Sequence, residues 1–168
     1  MNAGCRIAGV LLTTLVLSGC AAMRTPDFAA GATMADVERQ LGKPVDVLTT
    51  PDGATIWQYP RGPYGQQTYV VRFAKDQRVQ SVAQALTFEH FATIREGMTR
   101  DEIRLAFGRP GQTVFYRNLN EDVWSYRYVI PASHNRIFNV HFDAGTGRVR
   151  TTSEQDDPLF IWPIRISG

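Results

Sequence analysis

The sequence predicts an α+β fold of two tandem repeats, each with one or two short helices packed on a three- to four-stranded antiparallel sheet. Three observations lead to this prediction: a segment that recurs along the chain, a helix-capping pattern in each copy, and β-rich runs separated by turn residues after it. With 168 residues, 43% of them hydrophobic, the chain can bury one ordinary core or two small ones.

The recurring segment is GATMADVERQLGKP at residues 31–44, which matches GMTRDEIRLAFGRP at residues 97–110 with a constant offset of 66. Downstream, IWQY matches VWSY, YVVRF matches FNVHF and RVQS matches RVRT, at offsets of 67, 69 and 70. An offset that grows only between matching blocks is typical of loop insertions in a duplicated unit. We therefore predict repeat 1 over residues 31–85 and repeat 2 over residues 86–168.

Each matching segment carries the signature of a short capped helix. Thr33 precedes Asp36 by three residues, and Thr99 precedes Glu102 by the same spacing. This is the capping-box spacing, in which two unpaired backbone N–H groups at the helix start find side-chain acceptors. Apolar residues four apart then follow in both segments, as expected for the buried face of a helix of about two turns.

The ends of the two helices are marked by Gly42 and Gly108, each followed two residues later by proline. We expect both glycines in the left-handed conformation that commonly ends a helix. A further helix is predicted ahead of the second capping box, over LTFEHFATIRE at residues 86–96.

The strands are predicted from β-rich runs after each helix, the clearest at residues 68–74 and 136–143. Turn sequences separate them: PDG at residues 51–53, AKDQ at 74–77 and DAGTG at 143–147. Short strands joined by such turns favour antiparallel hairpins.

The N-terminus resembles a bacterial lipoprotein signal. The uncharged run of residues 7–17 is shorter than the roughly 20 residues needed to span a bilayer, and it fits a signal-peptide core over residues 1–19. The four residues at its end match a lipobox, in which the cysteine thiol takes the lipid: Leu17, Ser18, Gly19 and Cys20. The alternative is an ordinary signal peptide with a chance cysteine. Residues 20–30 would then be a lipidated tether.

Lipidation at Cys20 predicts anchoring in a membrane through acyl chains. Ala21 is not the acidic residue that retains enterobacterial lipoproteins at the inner membrane, so this resemblance implies the outer membrane, facing the periplasm. The only other cysteine, Cys5, would leave with the signal peptide, which leaves no disulfide in the folded part.

The segment LTFEHFATIREGMTRDEIRLAFGRP, residues 86–110, resembles the SmpA/OmlA (BamE-like) family of outer-membrane lipoproteins. The shared features are the leading LT, the I-R-x-G-M-T link, an aliphatic residue four positions on, the closing G-x-P and a later Trp-containing strand. This family includes an accessory subunit of the β-barrel assembly machinery, which the resemblance makes the candidate partner. Family members carry one such unit, whereas this chain has two. Its tandem arrangement also resembles β-lactamase-inhibitor proteins, whose two repeats form a concave sheet that grips an enzyme.

The sequence contains no recognisable catalytic, metal or cofactor motif. With 18 basic and 16 acidic side chains, it also gives no electrostatic argument for nucleic acid. No two histidines have a metal-ligand spacing, and no G-x-S-x-G or phosphate loop occurs. His90 lies on the predicted helix, His134 in a loop and His141 at a solvent-facing strand position. We interpret the acidic pairs at 121–122 and 156–157 as solvated turns.

Aromatic residues are the better candidates for partner contacts. Tyr59 and Tyr126 lie two residues after matching tryptophans, and Tyr64 lies in a loop with no counterpart in repeat 2. Trp162 belongs to the apolar tail at residues 158–168, which either packs on the repeats or docks on a partner. Tyr and Trp side chains anchor many protein interfaces, although the same residues also fill cores.

The sequence therefore favours a non-enzymatic, lipid-anchored protein that acts through protein–protein contacts, as an accessory to envelope integrity or outer-membrane protein assembly. Two alternatives stay open. The protein could inhibit or modulate a periplasmic enzyme with a concave tandem-repeat sheet, or it could be a hydrolase whose site the sequence does not reveal.

Overall fold

The structure, a computed structural model, describes residues 25–62, 65–130 and 135–160. These residues form two four-stranded antiparallel sheets with a few short helices, so the α+β prediction is confirmed. The predicted lipobox at residues 17–20, together with Tyr64, His134 and Trp162, lies outside the described residues. No helix in the described part of the chain is long and apolar enough to cross a membrane.

The first unit contains one helix followed by four strands in the spatial order β1-β2-β3-β4. Its elements are α1 (Met34–Leu41), β1 (Asp46–Thr49), β2 (Thr55–Arg61), β3 (Gln67–Phe73) and β4 (Val79–Gln84). Every neighbouring pair is antiparallel, as the turn sequences predict.

The second unit repeats this order with one additional helix at its start. Its elements are α2 (Phe88–Phe91), α3 (Arg100–Phe107), β5 (Gln112–Tyr116), β6 (Glu121–Val129), β7 (Asn135–Asp143) and β8 (Val149–Asp156). The strands again lie in sequence order and pair antiparallel.

Both predicted capping boxes are present. The Thr33 side-chain oxygen accepts from the Asp36 N–H at 3.3 Å, and the Asp36 carboxylate accepts from the Thr33 N–H at 2.9 Å. The same pair of bonds joins Thr99 and Glu102 at 3.2 and 2.7 Å. The hydrogen bond from the Thr33 backbone N–H lowers the pKa of the Asp36 carboxyl to about 2, and the bond from the Thr99 backbone N–H lowers the pKa of Glu102.

The glycines at the helix ends differ from the prediction in one respect. Gly42 and Gly108 have positive φ values of 80° and 82°, but ψ is −169° and −162°, so neither has the left-handed helical conformation. Residues with a Cβ are strongly disfavoured in this extended region at positive φ. Both positions therefore favour glycine, although the predicted left-handed helical conformation was wrong.

The predicted helix over residues 86–96 is only a single turn, α2. Thr87 caps it by accepting from the His90 N–H at 3.2 Å. The N–H groups of Thr93 and Ile94 then bond to carbonyls three residues back, which tightens the chain into turns instead of extending the helix. Phe91 and Ile94 are nevertheless buried, as the spacing predicts.

Several local features recur at matching positions of the two units. Isolated bridges join Thr33 to Arg78 and Thr99 to Arg148. Each of these arginines donates to a glycine carbonyl before the capping threonine, at 2.6 Å in the first unit and 2.7 Å in the second. A strand irregularity follows Arg72 in β3 and follows the matching His141 in β7.

Two core clusters account for most of the apolar burial. The first core lies between α1 and one face of the β1–β4 sheet, and its buried members are Val37, Trp57, Tyr59, Tyr69, Val71 and Phe73. The second core lies between α2, α3 and one face of the β5–β8 sheet. Its centre is Phe91, which stacks on Phe138 with 4.2 Å between ring centroids.

Helix α3 contacts both sheets. One side of it, including Ile103 and Phe107, belongs to the second core. At its C-terminal end, the carbonyls of Arg104 and Leu105 accept from the side-chain amide of Gln58 in β2, at 2.8 and 3.2 Å. Val70 of β3 also packs against the second core. The outer face of the first sheet is therefore partly covered by the second unit.

Candidate functional site

The face of the β5–β8 sheet that turns away from α3 forms a shallow groove of about 330 Å³. Alternate residues of the four strands line it, since successive side chains of a strand point to opposite faces. We call this surface the outer groove; its lining residues are Gln112, Val114, Tyr116, Leu119, Glu121, Val123, Ser125, Asn139, His141, Ser153 and Gln155. Neither core cluster includes any of them.

The matching face of the first sheet has a different environment. Gln58 and Val70 there contact the second unit. Their counterparts in the repeat alignment are Ser125 and Asn139, which line the outer groove. The groove is thus the second unit's version of a surface that the first unit uses for internal packing.

A row of three polar side chains crosses the groove from β6 to β8. The His141 ring places Nδ1 3.1 Å from a carboxylate oxygen of Glu121 and Nε2 2.8 Å from the Ser153 hydroxyl oxygen. Glu121 and His141 are mostly buried, with side chains 13% and 20% exposed. Both ring nitrogens therefore have a fixed polar neighbour.

A second polar contact continues the row. The Ser125 hydroxyl donates to the side-chain oxygen of Asn139 at 2.8 Å, so the amide nitrogen of Asn139 points the other way. That nitrogen lies 3.4 Å from the Ser153 hydroxyl oxygen. Asn139 is buried in the sheet face, which restricts the movement of its amide.

The other side of the groove is apolar. Val114 and Tyr116 of β5, Val123 of β6 and Leu119 in the 3₁₀ turn between these strands line it. Tyr116 and Leu119 are 48% and 61% exposed, so apolar surface is available at this edge. The outer groove combines an apolar side with a hydrogen-bonded polar row, as small-molecule and peptide sites commonly do.

The prediction that Tyr59 and Tyr126 contact a partner is wrong for this structure. Each is about 1% exposed, because the strand faces that carry them pack under the helices. Tyr59 lies in the first core, where burial raises its pKa to about 12. Tyr126 lies in the second core, where its hydroxyl donates to the Gly108 carbonyl at 3.2 Å and burial raises its pKa.

The other sequence candidates are structural or only partly described. His90 bonds through Nδ1 to the Ala85 carbonyl oxygen at 3.0 Å and packs on Phe107. Leu159 is exposed and Phe160 is half-exposed in the described part of the apolar tail. Within the described ranges, no group of three or more His, Cys, Asp or Glu side chains is arranged to hold a metal ion.

Sequence reasoning missed the polar row. Glu121 looked like a solvated loop acid, His141 like an isolated solvent-facing residue, and Ser153 carried no signal of its own. These residues meet only because the strand register brings β6, β7 and β8 together, with His141 opposite Val123 on one side and Thr151 on the other. The sequence signal that could have found them is the alternation of polar and apolar residues over 139–143 in β7, once the pairing of β7 with β6 and β8 is known.

Comparisons with known proteins do not assign a family. No protein-family profile matches the chain, and no curated protein sequence matches it. An extracellular protein containing a SCP domain from Bacillus anthracis str. Ames aligns with a TM-score of 0.31 and 11% sequence identity. That alignment covers 88% of this chain and 50% of the other, so the chain spans half the length of that protein. A TM-score this low carries no argument about fold or function.

Proposed function

We propose that this chain is an outer-membrane lipoprotein, anchored through Cys20, that acts in the periplasm as a protein–protein interaction module. Its role is accessory to envelope integrity or outer-membrane protein assembly, with the β-barrel assembly machinery as the candidate partner. The lipobox supports the anchor and compartment, and the resemblance of residues 86–110 to the SmpA/OmlA family supports the role.

The outer groove carries the proposal of a binding module. In the first unit, the matching sheet face packs against α3, which brings Gln58 into contact with helix carbonyls. In the second unit, the counterpart of that face lies outside both cores and keeps half-exposed apolar side chains at its edge. A surface of a type that this chain already uses for packing is a suitable surface for a partner.

We infer that the two units arose by duplication of one capped-helix-and-meander unit. The equivalent capping boxes, the equivalent arginine bonds to glycine carbonyls and the equivalent strand irregularities support this inference. Duplication gives the arrangement a simple origin, because the helix of the second copy covers the sheet of the first and leaves the last sheet face free.

An inhibitor that grips an enzyme with one concave sheet is less well supported. The eight strands form two separate sheets, and α3 lies against the outer face of the first. Within the described residues, no single sheet therefore extends across both units. This alternative stays as an outcome of the experiment below.

The proposal is tested by site-specific photo-crosslinking of the full, lipidated chain in intact cells. A crosslinking residue replaces Tyr116 in the outer groove, and the matched control replaces Val47, which is similarly exposed on β1 of the first sheet. We expect an envelope-protein adduct from position 116 that is absent from position 47. An adduct with a barrel-assembly subunit supports the accessory role. An adduct with a single soluble enzyme supports the alternative that the protein inhibits a periplasmic enzyme. Equal adducts from both positions would contradict docking in the groove.

The anchor is tested separately by mass spectrometry of the N-terminal peptide. We expect a cleaved chain that begins at an acylated Cys20, and a Cys20→Ala variant that no longer fractionates with membranes. An unmodified thiol at residue 20 would remove the basis for both the anchor and the compartment.

A further inference from the structure

We propose that Ser153 is an activated nucleophile, with His141 as its base and Glu121 as the residue that orients the base, and that it accepts acyl groups from short-chain esters. This inference does not rest on the proposed function, because it concerns the chemistry of the outer groove whether or not a partner docks there.

The first support is the geometry of the row. A Ser-His-acid triad is recognised by roles and distances and not by the order of its members in the sequence. With Nδ1 of His141 donating to the Glu121 carboxylate at 3.1 Å, Nε2 keeps its lone pair toward the Ser153 hydroxyl at 2.8 Å. In this tautomer, Nε2 can accept the hydroxyl proton. The acid, base and nucleophile thus stand in the required order.

The second support is the rigidity of the platform. The three residues belong to β6, β7 and β8, which are neighbouring strands of one sheet. Sites built on strands hold their geometry better than sites on loops. The His141 ring is held on both sides by its two polar contacts, and its side chain is only 20% exposed. Little reorganisation is then needed before proton transfer.

The third support is a donor beside the nucleophile. Ser125 fixes the Asn139 amide so that its NH₂ group faces Ser153, with the nitrogen 3.4 Å from the hydroxyl oxygen. A side-chain amide in this position can donate to the negative oxygen that develops on an attacked carbonyl. The apolar lining residue Val123 lies opposite His141 in the strand register, so an acyl chain that extends from Ser153 past His141 meets apolar surface.

The proposed step balances without any additional reactant. The Ser153 oxygen forms a bond to the ester carbonyl carbon while its proton passes to Nε2 of His141. The carbon–alkoxide bond then breaks, and the imidazolium returns the proton to the leaving alcohol. The product is an acyl group on Ser153 plus one alcohol, and water can later hydrolyse the acyl-serine by the reverse proton path.

The first unit provides an internal control. Ser81 is an exposed serine on β4 and lies opposite Arg72, which matches His141 in the repeat alignment. A guanidinium stays protonated at ordinary pH and cannot serve as a base. Ser81, which matches Thr151 in the repeat alignment, is therefore an exposed serine in the same fold whose cross-strand partner cannot act as a base.

The test uses the full chain in detergent, labelled with a fluorophosphonate and mapped by peptide mass spectrometry. We expect an adduct on Ser153 and none on Ser81. Ser153→Ala should remove the adduct, and His141→Gln should slow labelling by about 100-fold, in line with the usual contribution of a general base. Glu121→Gln should slow it at least about 10-fold, since the carboxylate holds the productive tautomer.

A second readout is the burst of nitrophenol released from p-nitrophenyl butyrate, with one acyl group retained per chain in the wild type and none in Ser153→Ala. Thermal melts verify that each variant is folded, and His141→Asn replaces His141→Gln if the latter is unstable. An unlabelled Ser153 in the folded wild type, or equal labelling rates in wild type and the His141 variant, would overturn the proposal. The two proposals fail separately in the wild-type chain: a crosslink from position 116 without labelling of Ser153 contradicts the nucleophile alone, and labelling of Ser153 without that crosslink contradicts the binding role alone.

Discussion

Asp46 is the residue that ties the two units together electrostatically. Its carboxylate accepts from Arg109 through Nε and Nη2, at 2.8 and 2.6 Å, and Arg104 lies within 3.4 Å. The Asp46 side chain is only 10% exposed, although Arg109 remains largely in solvent. The bonds from Arg109 hold the pKa of Asp46 below its usual value, although burial partly opposes this shift.

We predict that Asp46→Asn lowers the free energy of unfolding by about 1 kcal/mol at pH 7, a value reduced by the exposure of Arg109. Because the folded-state pKa is lowered, the contribution of Asp46 is complete above its unfolded pKa of about 3.9 and is lost as the pH falls through the folded value. Urea unfolding at pH 7, 4 and 3 should thus give a shrinking difference between wild type and variant. Glu38→Gln, an exposed charge loss on α1, is the control; a difference independent of pH would contradict the prediction.

The capping threonines give a second prediction at the residue scale. Thr99→Ala leaves the first-turn N–H of Glu102 without its side-chain acceptor and should cost about 1 kcal/mol in urea unfolding. Thr99→Ser keeps a hydroxyl at the same position, so its free energy of unfolding should stay within about 0.3 kcal/mol of the wild-type value. If serine and alanine destabilise equally, the lost methyl contact and not the cap accounts for the effect.

At the scale of the element, α3 is the helix that packs against both units. It belongs to the second core through Ile103 and Phe107, and it meets the first sheet at its C-terminal end. A Cβ added at Gly108 would lie 3.3 Å from the Thr68 methyl and 3.5 Å from the Gln58 side-chain oxygen. By contrast, nothing lies within 4 Å of a Cβ added at the matching Gly42.

This contrast separates backbone strain from packing at the junction. Gly42→Ala should cost about 1 kcal/mol, because alanine is strained at a φ of 80°. Gly108→Ala has the same strain and in addition crowds Thr68, so its loss should be larger, and Thr68→Ser should recover part of the difference. Chemical unfolding of Gly42→Ala, Gly108→Ala, Thr68→Ser and the double variant Gly108→Ala with Thr68→Ser measures these differences. Equal losses of unfolding free energy at both glycines would mean that the junction accommodates the added methyl group without further destabilisation.

The elements themselves were largely predictable from local sequence. Thr33 and Thr99 marked helix starts because a capping box involves only residues three apart. The predicted helix over residues 86–96 failed because its apolar spacing also fits a turn that buries Phe91 and Ile94. Periodicity reports which side chains are buried, and it distinguishes poorly between a short helix and consecutive turns.

For the whole molecule, contacts between distant segments were beyond the sequence. The faces of β2 and β6 could not be assigned without knowing where the helices lie, so Tyr59 and Tyr126 stayed candidates for partner contact although both are buried. The polar row depends on register, since a one-residue slip of β7 would turn His141 into the core. Residues 20 and 12 positions apart along the chain meet there only through pairing.

The position of α3 against both sheets leads to a prediction about the cooperativity of the molecule. Neither sheet can lose α3 without exposing part of its own packing surface, so we expect the two units to unfold in a single transition. Scanning calorimetry of the full chain should then give equal calorimetric and van't Hoff enthalpies. The double variant Asp46→Asn with Gln58→Leu removes the Asp46 charge and the side-chain hydrogen bonds of Gln58 at the junction, and neither residue belongs to a core cluster.

We expect that double variant to unfold in two overlapping transitions, with a calorimetric enthalpy larger than the van't Hoff value. Thr33→Ala is the matched control, because it weakens α1 in the first unit without touching the junction, and it should lower the midpoint while keeping one transition. Two transitions in the wild type would mean that the units are energetically independent. In that case the contacts of Gln58 and Asp46 would orient the second unit, and with it the outer groove, without stabilising the first.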